Sequence, residues 1–347
     1  MRDFAILERD PRYRILNTLE VIIAKVKERV TNPYQFRFVS AGQAKQAEML
    51  LGSWAQAGRP GPQPVVDPIS FRAAIYNQGR TSALLAAFHR VTSVTTTEFG
   101  AAAAEGFRAG NLTVPCAALR CLIERIALAG ALADAVRGLS AARVPAEMPL
   151  KPVLELAETV MKAVYGTNRD WMKLAQMDLR TTPVKDVAYV VRADTANYKA
   201  ANVLNAIDKL EKRVRGSRLV YELLCEFLHP NVGDLYGASL ENSDLTDRYG
   251  VRHLIRHIGL GPKRLEHVPE VQRILTQMLD ISADIVETLP AILDDIETGS
   301  KYASQLTRQF AHKVVQLYRA QFDHHDLCPC LSGLQVKDCA RRSRFRR

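Results

Sequence analysis

Apolar residues recur at helical spacing along most of the chain. Leu16, Leu19, Ile22, Ile23, Val26 and Val30 predict one buried face of a helix over Ile15–Val30, which stops at Asn32–Pro33. A second helix is predicted over Ala41–Ala57. Behind it, Gly58-Arg59-Pro60-Gly61-Pro62-Gln63-Pro64 is dense in helix breakers and marks an internal boundary. From Pro68 the helical pattern is persistent. It runs through Ser82–Phe107 and the almost continuously apolar Val114–Leu139, with Pro115 suited to a first turn. Pro149–Tyr165, Asn197–Arg213 and Ser217–Leu228 follow as helices, the last with Ser217 as N-cap and His229-Pro230 as its stop. Leu235–Tyr249 holds no sustained period and reads as loop. Val251–Ile258 reads as a short helix bracketed by Gly250 and Gly259, and Val268–Leu293 and Lys301–Phe322 as two long ones. Without repeats or strand–helix alternation, the pattern predicts an all-α fold, a multi-helix bundle. Its expected parts are an N-terminal helical segment (1–60), a main bundle (68–323), a small cysteine knuckle (324–340) and a basic tail (341–347).

Composition narrows the class. The chain has 347 residues, 47% of them hydrophobic and 24% charged, which is enough for a core and excludes global disorder. Aromatics make up only 7%, a profile that favours helices over a sandwich of strands. The longest apolar stretch, Ile126–Val136, is short and carries Asp134, so no membrane span is expected. Arg2, Asp3, Glu8, Arg9 and Asp10 stand where a secretory leader needs apolar residues, so a cytoplasmic protein is expected. The net charge is +10, and Arg341, Arg342, Arg344, Arg346 and Arg347 supply five of those charges. Such a tail either binds phosphate backbones or acidic protein surfaces, or is a solvated end without a partner.

The six cysteines divide by context. Cys116, Cys121 and Cys225 sit inside apolar helical runs and read as small buried hydrophobes. Cys328, Cys330 and Cys339 crowd near the C-terminus, with His324 and His325 just upstream. In a reducing compartment such a cluster points to metal binding rather than disulfides. The run Cys328-Pro-Cys330-Leu-Ser332-Gly333, closed by Lys337-Asp-Cys339, resembles the zinc-binding motif at the C-terminus of the SecA translocation ATPase, a motif also found as a tail on unrelated bacterial proteins. In that family a fourth Cys or a His follows the third Cys at once. Ala340 stands there in this chain, so His325 or His324 would complete a structural zinc site of three thiolates and one imidazole.

Charged residues inside the apolar helices form a second set of candidates. Arg120 and Glu124 are spaced i, i+4 on a face otherwise built from Leu, Ile, Ala and Cys. Tyr221 and Cys225 share a face of a later helix, as do Glu222 and Glu226, and His229 follows. The Arg120-x3-Glu124 helix, the Asn202–Leu210 segment and the Tyr221…Glu226…His229-Pro230-Asn231 segment together resemble an uncharacterised bacterial helical family whose members often end in the same cysteine knuckle. The resemblance spans about residues 105–235 and the tail, and it implies an architecture without implying a reaction. Two readings stand for the cluster. One is a polar pocket in which His229 carries protons beside Glu226 and Arg120. The other is an ion-pair and hydrogen-bond network that fixes helix register, with His229 capping a helix end.

A third pattern concerns RNA. Arg252-His253-Leu-Ile-Arg256-His257 matches R-x4-H and resembles the motif of the HEPN helical ribonucleases. The resemblance implies metal-independent cleavage in which a His handles the 2′-hydroxyl proton and an Arg stabilises phosphate charge. Chance alone supplies about two such matches in a chain of this composition, and Arg248/His253 and Arg319/His324 also match. On one regular helix Arg252 and His257 would stand about 140° apart. Phosphate-binding, dinucleotide-binding, zincin and nucleophile-elbow motifs do not occur. The sequence therefore leads first to a helical binding protein. Its knuckle and tail would contact RNA or an acidic protein surface, with the helical body as effector or oligomerisation part. A HEPN-like ribonuclease, acting as a toxin or phage-defence effector through Arg252 and His257 or through the His229 pocket, is the alternative.

Overall fold

The structure, a computed structural model, describes residues 10–30, 32, 68–141, 156, 159–160, 162–163, 202–228, 239–258, 269–318, 325, 334–335 and 337–338. Helices dominate: α1 (Arg12–Glu28), α2 (Pro68–Arg108), α3 (Thr113–Ala141), α4 (Val203–Glu211), α5 (Ser217–Glu226), α6 (Pro269–Glu287) and α7 (Leu289–Tyr318). Between α5 and α6 two strands, β1 (Ser239–Thr246) and β2 (Arg252–Ile258), pair antiparallel. The all-α expectation holds. Among the described residues no helix is long and apolar enough to cross a membrane. The helix expected over Ala41–Ala57, the breaker run at 58–64 and most of Pro149–Tyr165 lie outside the described residues.

The chain forms two compact units. One takes in Met1–Pro33, His89–Ala131 and Asn202–Asp294, the other Tyr34–Phe88, Leu132–Ala201 and Asp295–Arg347. In the first, α1 buries Leu16, Leu19, Ile22 and Val26 of the stripe read from its spacing, together with Ile15, while Ile23 and Val30 are only partly buried. Each of the buried side chains contributes about 1.5–3 kcal/mol when removed from water. α1 packs on α6. There Arg14 donates to the Asp284 carboxylate and the Asp280 carbonyl, and Thr18 Oγ1 donates to Glu287 at 3.2 Å. On α3, Leu119, Ile123 and Ile126 are buried, as are Leu275, Leu279 and Val286 on α6.

α4 and α5 form a short helical hairpin. Asn202 is the N-cap of α4, its side-chain oxygen accepting from Leu204 N at 2.9 Å and Asn205 N at 3.4 Å. α5 begins differently from the expectation. Its N-cap is Gly216, and Ser217 is already helical, with its buried hydroxyl donating back to the Val214 carbonyl at 2.6 Å. The exposed amides are served instead by Glu211, whose carboxylate accepts from Gly216 N and Arg218 N, both at 2.9 Å. Those two amides hold the Glu211 carboxyl below its usual range.

In the second unit, Leu84, Leu85 and Phe88 of α2, Leu132 and Val136 of α3, and Ile296, Ala303 and Leu306 of α7 are buried. Here the helix boundary departs from the expected one. The break falls at Thr288 because Pro290 can sit only in a first turn, so α7 starts at Leu289 and runs through Gly299-Ser300. Packing explains why that pair lies inside a helix. A side chain at 299 would collide with Val136, and Ser300 and Ser82 exchange hydroxyl-to-carbonyl hydrogen bonds of 2.9 Å in both directions.

The segment read as loop plus short helix is the β1–β2 hairpin. Its turn is Asp247-Arg248-Tyr249-Gly250. Gly250 N donates to the Asp247 carbonyl at 3.0 Å and Asp247 N to the Val251 carbonyl at 2.9 Å. Gly250 takes φ +81°, so the glycine read as a helix bracket is the left-handed residue of a three-residue hairpin loop. Pairing brings Thr246 opposite Arg252, Leu245 opposite His253 and Glu241 opposite His257, with an irregularity between Ser239 and Glu241.

Candidate functional site

The charged pair read from the apolar helix does meet, and it meets a third group. Arg120 Nη2 lies 3.3 Å from Glu124 Oε1 across one turn of α3. From α5, Tyr221 donates its hydroxyl proton to the same Glu124 oxygen at 2.8 Å, while Arg120 Nη2 donates to the Tyr221 oxygen at 3.4 Å. The guanidinium also lies over the phenol ring, 5.5 Å from its centroid. The three groups close a triangle.

Its electrostatics follow from half-burial. Tyr221 is 7% exposed, whereas the side chains of Arg120 and Glu124 keep 32% and 28% of their surface. Burial pushes the Tyr221 phenol up, with the bond to Glu124 acting the same way and Arg120 opposing it. The Tyr221 oxygen, aided by neighbouring Cys225 and Glu124, holds the Arg120 proton more tightly than usual. The phenol, kept protonated by its burial, bridges the two side chains rather than giving up its proton near neutral pH. Cys121 and Cys225 beside it are half-buried rather than fully enclosed. Cys116 alone is fully buried, its thiol pushed up to about 12 by burial.

From α5, Tyr221 reaches Arg120. Glu226 is exposed, five positions and about 140° further round the helix. Glu222 is turned to Arg218, whose Nε donates to it at 2.7 Å. His229 lies outside the described residues, and the described contacts of Arg120 are with Glu124 and Tyr221. The sequence contained the signal for Tyr221 in its i, i+4 relation to Cys225, on a face of α5 about 100° round from the glutamates.

The second predicted pair is not brought together. Arg252 and His257 stand on β2, five residues apart, and an odd number of steps along a strand puts two positions on opposite faces. His257 is paired in register with Glu241, while Arg252 is exposed beside the turn. The histidine that makes a described contact is His253, with Nε2 3.0 Å from Asp247 Oδ2. Asp247 Oδ1 meanwhile accepts from Tyr249 N at 2.9 Å and Val251 N at 3.0 Å. His253 first, and the Val251 and Tyr249 amides after it, hold the Asp247 carboxyl below its usual range.

Of the predicted metal ligands, Cys328, Cys330 and Cys339 lie outside the described residues and only His325 is described. His325 is exposed, with Nδ1 3.2 Å from Lys337 Nζ. An ammonium can only donate, so this contact uses the Nδ1 lone pair. A metal taken at Nε2 would instead require a proton on Nδ1. His325 therefore serves as a ligand only if Lys337 turns away. Three thiols within a dozen residues remain a suitable donor set for structural zinc. Among the described residues no group of three His, Cys, Asp or Glu side chains is arranged to hold a metal.

No family model matches the chain, and neither a curated protein nor a solved structure matches it.

Proposed function

We propose that the chain is a helical binding protein of the reducing cytoplasm that holds an anionic partner, RNA or an acidic protein surface. Its contact is the C-terminal cysteine segment, ordered by zinc, together with the Arg-rich tail. The observation that carries this reading is the C-terminal sequence itself, in which three cysteines stand within a dozen residues and five arginines follow. In the helical body Arg120, Glu124 and Tyr221 bond to one another as a register-fixing network does, with Arg120 Nε left buried and unbonded. The ribonuclease alternative needs Arg and His in one cluster. Positions 252 and 257 fall on opposite faces of one strand, and no described contact favours that reading.

Deletion of residues 326–347 is the test. With five arginines removed, the log–log salt slope for a single-stranded RNA probe should fall by about 3 to 4, and affinity by at least about a hundredfold at physiological salt. Oligoglutamate, the acidic-surface probe, should lose affinity in parallel. His257→Ala and His229→Ala should bind both probes as the full chain does. Cys328→Ser and Cys330→Ser should lower the zinc content of the purified protein measured by elemental analysis. Undiminished binding of both probes by the truncated chain refutes the proposal.

A further inference from the structure

The tip of the β1–β2 hairpin carries a charge and an aromatic surface that the C-terminal contact does not use. Its one carboxylate, Asp247, is consumed inside the turn: Oδ1 takes two backbone amides and Oδ2 faces His253. Arg248 is exposed beside it and turns its positive charge outward. Tyr249 is 73% exposed, the most open of the large apolar side chains among the described residues. The Arg248 guanidinium lies 4.7 Å from its ring centroid and covers one side of it. Leu245 and Val251 are exposed beside it. A ring fixed by a turn and backed by a cation suits a flat, electron-rich group that brings negative charge with it.

We propose that this tip binds a single strand of nucleic acid, with an unpaired base stacked on Tyr249 and a backbone phosphate on Arg248. A base inside a duplex is already stacked on both faces, so an exposed ring gains a contact only from a strand whose bases are free. An acidic peptide would satisfy the arginine and leave the ring without a counterpart. The turn supplies the rigidity that such a contact needs: Gly250 at φ +81° and the three donors on Asp247 fix the Tyr249 backbone before any strand arrives. The inference rests on the anionic-partner reading for the sign of the partner, but its residues are separate from the cysteine segment and the tail.

The test is fluorescence anisotropy of a short labelled oligouridine with the full chain, repeated across salt concentrations. Tyr249→Ala should weaken binding about 5- to 100-fold, the range for one lost base–aromatic stack, while Tyr249→Phe should retain most of the affinity. Arg248→Gln should reduce the log–log salt slope by about 1. Circular dichroism should show both Tyr249 variants folded as the parent, since the side chain is exposed. Equal affinity of Tyr249→Ala and the full chain overturns the inference. So does a chain that binds oligoglutamate with the same Tyr249 dependence and ignores the oligouridine. The tail is separable: if deletion of 326–347 abolishes binding while Tyr249→Ala changes nothing, the hairpin contact falls and the C-terminal reading stands. If Tyr249→Ala weakens binding while the deletion changes nothing, the C-terminal reading falls instead.

Discussion

Replacing Tyr221 with Phe removes one oxygen and keeps the ring, so it isolates the hydroxyl that joins α5 to α3. Two bonds disappear: the 2.8 Å donation to Glu124 and the longer 3.4 Å acceptance from Arg120. A hydrogen bond to a charged group contributes about 1.5–3 kcal/mol when well shielded. The carboxylate here keeps 28% of its surface and is partly rehydrated when the phenol leaves, so we expect about 1–1.5 kcal/mol. The stacking of Arg120 on the ring survives the substitution. Native-state hydrogen exchange on peptides from α3 and α5 reads this locally, and amides there should exchange about five- to tenfold faster. Pairing the change with Glu124→Gln in a double-mutant cycle should recover a coupling of about 1 kcal/mol. Exchange unchanged by Tyr221→Phe, or strictly additive single changes, would mean that the triangle is not what ties the two helices together. A Glu124→Gln variant with native exchange but lost partner binding would move the cluster from architecture to recognition.

Three further outcomes follow from the local geometry. Glu211→Ala strips the carboxylate from the first amides of α5 and should cost about 0.5–2 kcal/mol, read as a lowered melting temperature and faster exchange at Gly216 and Arg218. Gly299→Ala forces a methyl group into Val136 and should destabilise by about 1–3 kcal/mol in a thermal melt, whereas the same change at the open Gly138 should not destabilise. The Asp247 carboxyl is held below its usual value by His253 and two amides, so its contribution to hairpin order is complete above the unfolded value of 3.8 and is lost as pH falls through the lower folded value. Amide resonances of Tyr249 and Val251 should therefore keep their hairpin shifts at pH 5–7 and lose them only in acid. Loss of those shifts already at pH 5 would contradict the assigned carboxylate.

The helices were legible because burial imposes a period on the chain. α1 shows its face in Leu16, Leu19, Ile22 and Val26, and the structure buries those positions. Helix ends were less legible, since they depend on partners distant in sequence. Ser217 carries a good capping side chain, yet the amides it would serve are taken by Glu211 from the preceding helix, and its own hydroxyl turns back to Val214. Gly299-Ser300 looks like a stop until Val136 and Ser82 are seen to require a small residue and a hydroxyl at those places.

The hairpin shows why the site was harder to read than the fold. A strand declares itself by alternation only when one face is buried, and Ser239–Thr246 and Arg252–Ile258 place polar residues on both faces, with Leu254 and Ile255 adjacent. What specifies the hairpin is its turn, where a carboxylate at position 247 is needed to accept two backbone amides and a glycine at position 250 for one dihedral. The same property bears on recognition. A ribbon that spends its carboxylate on its own backbone and leaves a ring and an arginine exposed has its chemistry set by turn geometry. The decisive variant is therefore Gly250→Val, which strains φ +81° and changes no charge and no aromatic. If strand binding at the tip depends on the fixed placement of Tyr249, this variant should weaken it as Tyr249→Ala does, with the salt slope intact. Full affinity in Gly250→Val would mean that the tip acts only as a diffuse positive charge.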